Sequence, residues 1–132
     1  MPVSFKNINV GAKYSRNQLA NIWGYKSYHP LARGVVTPRD NNFIILFITE
    51  RKRNFDEQYQ DRLEGDLLEW EGPTDHFAEK RMINVNTSGD EIHLFYRLNH
   101  HDDFTYLGQA QIENYSLFSK SPSKFVFKQK KS

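Results

Sequence analysis

The sequence predicts a mainly β domain of the α+β class: a curled sheet or open barrel of about five to seven strands with one or two helices. Three observations predict this class. Residues 43–49 form a long unbroken apolar run rich in β-branched and aromatic residues, which is typical of a strand buried on both faces. Residues 67–71 and 104–112 alternate between apolar and polar side chains, as strands with one buried face do. A clear helix signal is confined to residues 15–24.

The first part of the chain carries the helix signal. A short strand is predicted within residues 5–10. Ser15 and Gln18 form a capping box, which predicts a helix over residues 16–23 that Gly24 ends in a left-handed conformation. Three apolar residues of this helix are expected to face the core: Leu19, Ile22 and Trp23.

Strand signals dominate the rest of the chain. Residues 33–37 and 43–49 flank a polar turn and are predicted to pair as a hairpin. Residues 50–64 lack a clean period and suit a loop or a short helix. Further strands are predicted over residues 67–71, 82–86, 92–97, 104–112 and 125–127. The strands at 92–97 and 104–112 are expected to form a second hairpin, and residues 74–82 to form a loop or one helical turn.

Length and composition bound the class of protein. A chain of 132 residues fits a single domain, residues 1–132, and can bury roughly two thirds of its unfolded surface without covalent staples. The absence of cysteine excludes disulfides, thiol catalysis and zinc–thiolate sites. No apolar run reaches bilayer-spanning length and the N-terminus lacks an apolar signal core, so we expect a cytoplasmic protein without a membrane partner.

The charge is distributed unevenly along the chain. The net charge is +2, but residues 1–53 carry +7, residues 54–103 carry −9 and residues 104–132 carry +4. Basic ends around an acidic middle would place the ends on a polyanion such as nucleic acid, provided that folding keeps the charges apart.

The segment from Tyr59 to Gly72 combines two aromatic rings with a carboxylate. Asp61 follows Tyr59 by two residues, and Trp70 follows Asp61 by nine. Aromatic side chains stack on nucleobases, and a carboxylate accepts hydrogen bonds only, which suits the exocyclic amine of cytosine and rejects the carbonyl of thymine. The segment therefore indicates a pocket for a flat base, unless both rings belong to the core and Asp61 caps a turn.

The same segment resembles a known family. The order of its motifs is similar to the pattern of the SRA (YDG) family of modified-cytosine readers: a buried strand, then Tyr-x-Asp, then Gly-x-x-x-x-aromatic-x-Gly. With further matching pieces at residues 14–16, 24–25 and 104–108, the chain more closely resembles the SRA-like domain appended to helicase-type, modification-dependent restriction enzymes. It departs from the family at Gln58, where the family has Gly, at Trp70, where it has Tyr, and in the single Asp after Tyr59.

This resemblance implies an SRA/PUA-like fold and a binding module rather than an enzyme, without a cofactor. Its partner would be double-stranded DNA carrying 5-methyl- or 5-hydroxymethylcytosine, and the modified base would flip into a pocket between two rings. By position, Tyr59 and Trp70 would be the rings and Asp61 would read the Watson–Crick edge. The setting would be a modification-dependent restriction system with a nuclease or helicase domain or subunit as partner.

Basic and aromatic residues elsewhere are candidates for contacts with the DNA backbone or groove. Arginine forks suit phosphate, and the loop around residues 25–31 is long enough to enter a groove, although each residue could equally be an ordinary surface residue. The seven candidates are Tyr28, His29, Arg33, Arg39, Arg51, Lys52 and Arg53.

Other functions fit parts of the sequence. A PUA-like module could read a base in single-stranded DNA or RNA with the same rings, and a structural or dimerisation module would bind no nucleic acid. A small metal-dependent nuclease could use the carboxylates of residues 66–71, but Lys80 lies too far along the chain for the usual Glu-x-Lys unit. Residues 100–103 suit a polar hairpin tip better than a metal site, because adjacent side chains point in different directions.

Overall fold

The computed structural model describes residues 3–39, 41–51, 62–73, 75–118 and 121–130. The strands in these residues are β1 Lys13–Tyr14, β2 Val35–Val36, β3 Phe43–Arg51, β4 Arg62–Glu64, β5 Leu67–Glu71, β6 Glu91–Asn99, β7 Phe104–Ser116 and β8 Lys124–Gln129. The helices are α1 Arg16–Ile22, α2 Glu79–Ile83 and α3 Val85–Ser88, with a 3₁₀ turn at His29–Leu31. The predicted class, α+β and mainly β with an open sheet, is confirmed. None of the helices in the described ranges is long and apolar enough to cross a membrane.

All eight described strands belong to one sheet with the order β2-β3-β6-β7-β8-β5-β4, and β1 pairs with β7. The sheet curls so that its far ends meet: the backbone N–H of Leu63 on β4 donates to Oε1 of Glu50 on β3 at 3.2 Å. Side chains of β3 and β5 share one buried cluster for the same reason. The curled sheet therefore encloses a core on its inner face.

Strand β3 supplies both cores of the domain. It pairs antiparallel with β2 and parallel with β6. Its even-numbered residues, such as Leu46, enter the inner core, and Ile45 and Phe47 enter a second core on the outer face. A strand that is covered on both faces is apolar at every position, which explains the unbroken run at 43–49. The predicted β2–β3 hairpin is confirmed.

Helix α1 and the preceding residues cover the outer face. The predicted capping box is present: the Ser15 hydroxyl accepts from the Gln18 N–H at 3.0 Å, and the Gln18 side chain accepts from the Ser15 N–H at 2.8 Å. Leu19 and Trp23 are buried as predicted, but Ile22 is 48% exposed, so its predicted inward position is wrong. The helix ends at Ile22, and the outer core takes the neighbouring Trp23 instead.

Two strand predictions are wrong. Residues 5–10 form turns and irregular backbone. Phe5 and Ile8 pack on the outer core, where Phe5 stacks on the ring of His93, whereas Val10 is exposed, so no strand alternation is present. Residues 82–86 cover the end of α2, a turn at Asn84 and the start of α3, and Met82 of α2 and Val85 of α3 both pack in the inner core. The strands predicted around residues 67–71 and 125–127 and the β6–β7 hairpin are confirmed.

Candidate functional site

The main candidate site is a cavity of about 730 Å³ beside the edge strand β2. Pro38 removes a backbone donor just after this strand, and β2 pairs for only two residues, so its flanking segments leave the sheet and form one wall. The loop between β5 and α2 forms the other wall. The side chains available to a ligand are two rings, two cations and two polar groups: Tyr25, Phe77, Arg33, Arg39, Thr37 and Asn41. The volume is typical of a small-molecule or base site.

Arg33 is held on the rim of this cavity by an acid and a ring. Its Nη2 donates to Asp75 Oδ2 at 2.9 Å, and its guanidinium lies 4.4 Å from the centroid of Phe77. Asp75 Oδ1 also accepts from the Phe77 N–H at 3.1 Å, which fixes the acid beside the ring. The Arg33 and Asp75 side chains are 54% and 58% exposed, so water screens this ion pair and it is weak.

Asn41 presents an unsatisfied donor beside the same cavity. Its Oδ1 accepts from the Phe43 N–H at 3.0 Å, while its Nδ2 is buried and has no hydrogen-bond partner among the residues that the structure describes. The carbonyl of Asn41 accepts from Arg81, which also binds Asp90 through two bonds of 2.8 and 3.2 Å and thereby lowers the pKa of that carboxyl. The backbone and the Oδ1 of Asn41 are thus held in place, and its buried Nδ2 would reach a ligand acceptor only if the amide turned toward the cavity.

A second cleft, of about 480 Å³, lies between the start of α1 and the β6–β7 hairpin. It is lined by Arg16, Arg97, Phe104 and Tyr28, together with residues of the hairpin tip. Tyr28 is 41% exposed, and its ring centroid lies 4.7 Å from that of His29. The two predicted groove residues therefore sit together at the edge of this cleft.

The structure places only some of the sequence-predicted residues in a cavity. Arg33 and Arg39 line the first cavity, and Tyr28 lines the second. Arg51 ends β3, where its backbone pairs with Asn99. Tyr59, Asp61, Lys52 and Arg53 lie outside the described residues, so the predicted contacts of these four remain predictions.

Trp70 lies mainly in the inner core. Its side chain is 6% exposed, and its ring centroid is 5.6 Å from that of Phe125 and 5.8 Å from that of Phe127. Part of it also lines a smaller cavity of about 230 Å³ next to Glu71. Its role as a wall of the base pocket therefore stays a prediction.

Several residues of these cavities were not predicted from the sequence. Phe77 and Asn41 lie in short polar loops without a motif, and Arg16 and Arg97 occupy positions that suit ordinary surface residues. Within the described ranges, no group of three or more His, Asp or Glu side chains could hold a metal ion.

Comparison with known proteins identifies the fold. A family model described as "Domain of unknown function (DUF3427)" matches residues 8–131, and no curated protein sequence matches the chain. The SRA domain of SUVH5 in complex with hemimethylated CG DNA is similar over 100% of this chain and 95% of that chain, with 16% identity and a TM-score of 0.64. The same domain bound to fully hydroxymethylated CG DNA gives 16% identity, the same coverage and a TM-score of 0.62.

A restriction enzyme shares part of the fold. The DNA modification-dependent restriction endonuclease AspBHI is similar over 89% of this chain and 71% of that chain, with 13% identity and a TM-score of 0.55. At such identities these similarities establish the architecture, and the SRA-like fold that the sequence resemblance implied is confirmed.

Proposed function

The chain belongs to the DUF3427 family, and from this membership and its SRA-like fold we propose that it is a non-enzymatic module that binds double-stranded DNA containing a modified cytosine. The observation that carries the proposal is the similarity of the whole chain to SRA domains solved with methylated and with hydroxymethylated DNA. The proposed ligands are therefore 5-methyl- and 5-hydroxymethylcytosine in a duplex.

The described cavity beside β2 supports this function. Arg33 and Arg39 bring two cations to its rim, which suits the phosphates that flank a base, and Phe77 and Tyr25 offer apolar ring surface. Asn41, whose Nδ2 is buried without a partner among the described residues, would supply a donor for a carbonyl or phosphate oxygen once its amide turned toward the cavity.

The proposed reading of the base follows the aromatic–acid segment. The modified cytosine flips out of the duplex and stacks between Tyr59 and Trp70, and Asp61 accepts a hydrogen bond from its exocyclic amine. Stacking contributes about 1–3 kcal/mol per base, which offsets an unstacking cost of a few kcal/mol. Because most of the Trp70 ring packs in the core, it would present only an edge or part of a face to the base.

The biological role that we propose is targeting of a modification-dependent restriction system. The fold shared with the AspBHI endonuclease supports this role, as does the resemblance to the SRA-like domains appended to helicase-type restriction enzymes. A nuclease or helicase domain or subunit would then supply the cleavage or translocation activity.

A titration with three matched duplexes tests the proposal. Fluorescence anisotropy would compare duplexes that differ only in one base, namely cytosine, 5-methylcytosine or 5-hydroxymethylcytosine. We expect the wild type to prefer a modified duplex, and we expect Asp61→Asn to reduce that preference at least about fivefold because it replaces an acceptor oxygen by a donor. Asp66→Asn makes the same change at an exposed turn and should preserve the preference.

A fluorescent adenine analogue placed next to the modified base would report flipping through a rise in emission on binding. Equal affinity of the wild type for all three duplexes would refute recognition of the modification. A preference for the modified duplex without a rise in emission would refute flipping alone.

A further inference from the structure

Two arginines that are distant in sequence meet over one buried ring. The guanidinium carbon of Arg16 lies 4.9 Å from the centroid of Phe104, and that of Arg97 lies 4.2 Å from it. The two carbons are therefore at most about 9 Å apart. Both side chains line the cleft between α1 and the β6–β7 hairpin, with Tyr28 at its edge.

Both guanidiniums are fixed by neutral acceptors. Arg16 Nε donates to the Leu31 carbonyl at 2.6 Å, and Arg97 Nε donates to Thr49 Oγ1 at 2.7 Å. Further contacts go to backbone carbonyls, from Arg16 Nη2 to Arg33 at 3.5 Å and from Arg97 Nη1 to Asp102 at 3.2 Å. Arg16 Nη1 and Arg97 Nη2 have no acceptor among the residues that the structure describes.

No carboxylate in the described ranges lies within ion-pairing distance of either guanidinium. Two other arginines in these ranges differ in this respect, since Arg33 pairs with Asp75 and Arg81 with Asp90. Asp102 and Asp103 also line the cleft. The Asp102 carboxylate accepts from the backbone and side-chain N–H groups of Asn99, both at 3.3 Å, and its charge acts on Arg97 only from beyond ion-pairing distance, where it partly offsets the effect of burial on the Arg97 pKa.

The electrostatics of this pair favour an anion. Burial and then the like charge of Arg97 lower the pKa of Arg16 to about 10, and burial also lowers the pKa of Arg97. Half-buried like charges with neutral partners are unfavourable, and an oxyanion that bonds to both would relieve their repulsion and use the unpaired N–H groups. One tetrahedral anion with charge-assisted bonds of about 2.7–2.9 Å to each side can bridge two guanidiniums whose carbons lie no more than about 9 Å apart.

The position of the cleft points to DNA as the source of the anion. Arg51 pairs with Asn99 in the parallel register, and Asn99 bonds to Asp102 at the cleft. The backbone of Arg51, the first residue of the basic run at 51–53 in the sequence, therefore lies near the cleft. We propose that Arg16 and Arg97 together hold one backbone phosphate of the bound duplex in this cleft, an inference that rests on the proposed function.

The test separates backbone contact from base recognition. The affinities for plain and modified duplexes would be measured across a series of salt concentrations for three variants: Arg97→Gln, Arg97→Lys and the control Lys6→Gln. Lys6 is an exposed lysine in the N-terminal segment, so this control removes one charge elsewhere. Thermal melting by circular dichroism would establish that each variant is folded.

We expect Arg97→Gln to weaken both duplexes about threefold to tenfold and to reduce the salt slope by about one, with the modified-to-plain ratio unchanged. Arg97→Lys should recover part of the affinity because it restores the charge without the fork. Arg16→Lys, which retains a donor near the Leu31 carbonyl, should likewise weaken both duplexes.

Inorganic phosphate provides a second arm. Phosphate should raise the melting temperature of the wild type more than chloride does at equal ionic strength, and Arg97→Gln should abolish the difference. If phosphate stabilises the wild type as expected but the arginine variants keep the salt slope of DNA binding, the site belongs to a free anion and the DNA contact is overturned. If the wild type prefers modified DNA and the arginine variants keep its affinity and salt slope, this inference alone is refuted. If the wild type binds no duplex at all, the proposed function is refuted as well.

Discussion

The ion pair on the rim of the first cavity predicts a mutation that strengthens binding. Arg33 can contact a phosphate only after it leaves Asp75, and the negative charge of Asp75 opposes an approaching DNA backbone. Asp75→Asn removes that charge but retains the oxygen that accepts from the Phe77 N–H, so the loop should keep its conformation. We therefore expect Asp75→Asn to bind duplex DNA more tightly than the wild type does.

The size of the gain follows from the exposure of the pair. With both side chains more than half exposed, the pair contributes about 0.2–1 kcal/mol, which corresponds to a gain of roughly 1.4- to 5-fold when DNA no longer competes with it. The gain should be largest in low salt and should shrink above about 0.15 M, where the Debye length is about 8 Å. Fluorescence anisotropy with a plain duplex at several salt concentrations would measure it.

Two controls make this prediction specific. The double variant Asp75→Asn/Arg33→Gln should show no gain from the loss of the acid, since the cation that the loss releases is also absent. Asp66→Asn removes the same charge from the exposed turn between β4 and β5 and should tighten binding less. Affinity that is unchanged or lower in Asp75→Asn, or an equal gain in Asp66→Asn, would refute a phosphate contact by Arg33.

Two further predictions concern stability. Trp70→Ala should lower the free energy of unfolding by about 3–5 kcal/mol and Trp70→Phe by about 1–2 kcal/mol, because the ring packs in the inner core. Urea unfolding would measure both, and a loss below about 1 kcal/mol for alanine would show that the ring is not a core residue. Burial lowers the pKa of His93 below its ordinary value. As the pH falls, His93 therefore binds a proton in the unfolded chain before it does so in the folded protein, and the free energy of unfolding should fall below about pH 6.5. His93→Gln should flatten this part of a melting-temperature profile, and an unchanged slope would contradict the role of burial.

Local patterns in the sequence were sufficient for much of the fold. The capping box at Ser15 determines where α1 begins through contacts within four residues. The apolar run of β3 and the alternation of β5 report directly on how many faces of each strand are covered. Met82 and Val85 were misassigned because a short apolar pattern suits a strand or a helix, and only packing against the inner core decides between them.

The candidate sites depend more on long-range contacts. Arg33 and Arg39 could be found because both flank a predicted strand, close to the wall that they form. Phe77 reaches the same cavity only because the sheet curls and brings the β5–α2 loop to β2. Arg16 and Arg97 meet through the placement of α1 on the outer face of the sheet, which no local pattern specifies.

The parallel pairing of β3 with β6 also bears on how the domain folds. Residues 52–90 lie between these neighbours, whereas the β2–β3 and β6–β7 pairs join segments that are close in sequence. Closing a long loop costs chain entropy before any contact across it forms, and proteins with many such contacts fold slowly. The two hairpins can form early, but the most deeply buried part of the sheet is complete only when β3 pairs with β6. The formation of this parallel pair should therefore limit the folding rate of the domain.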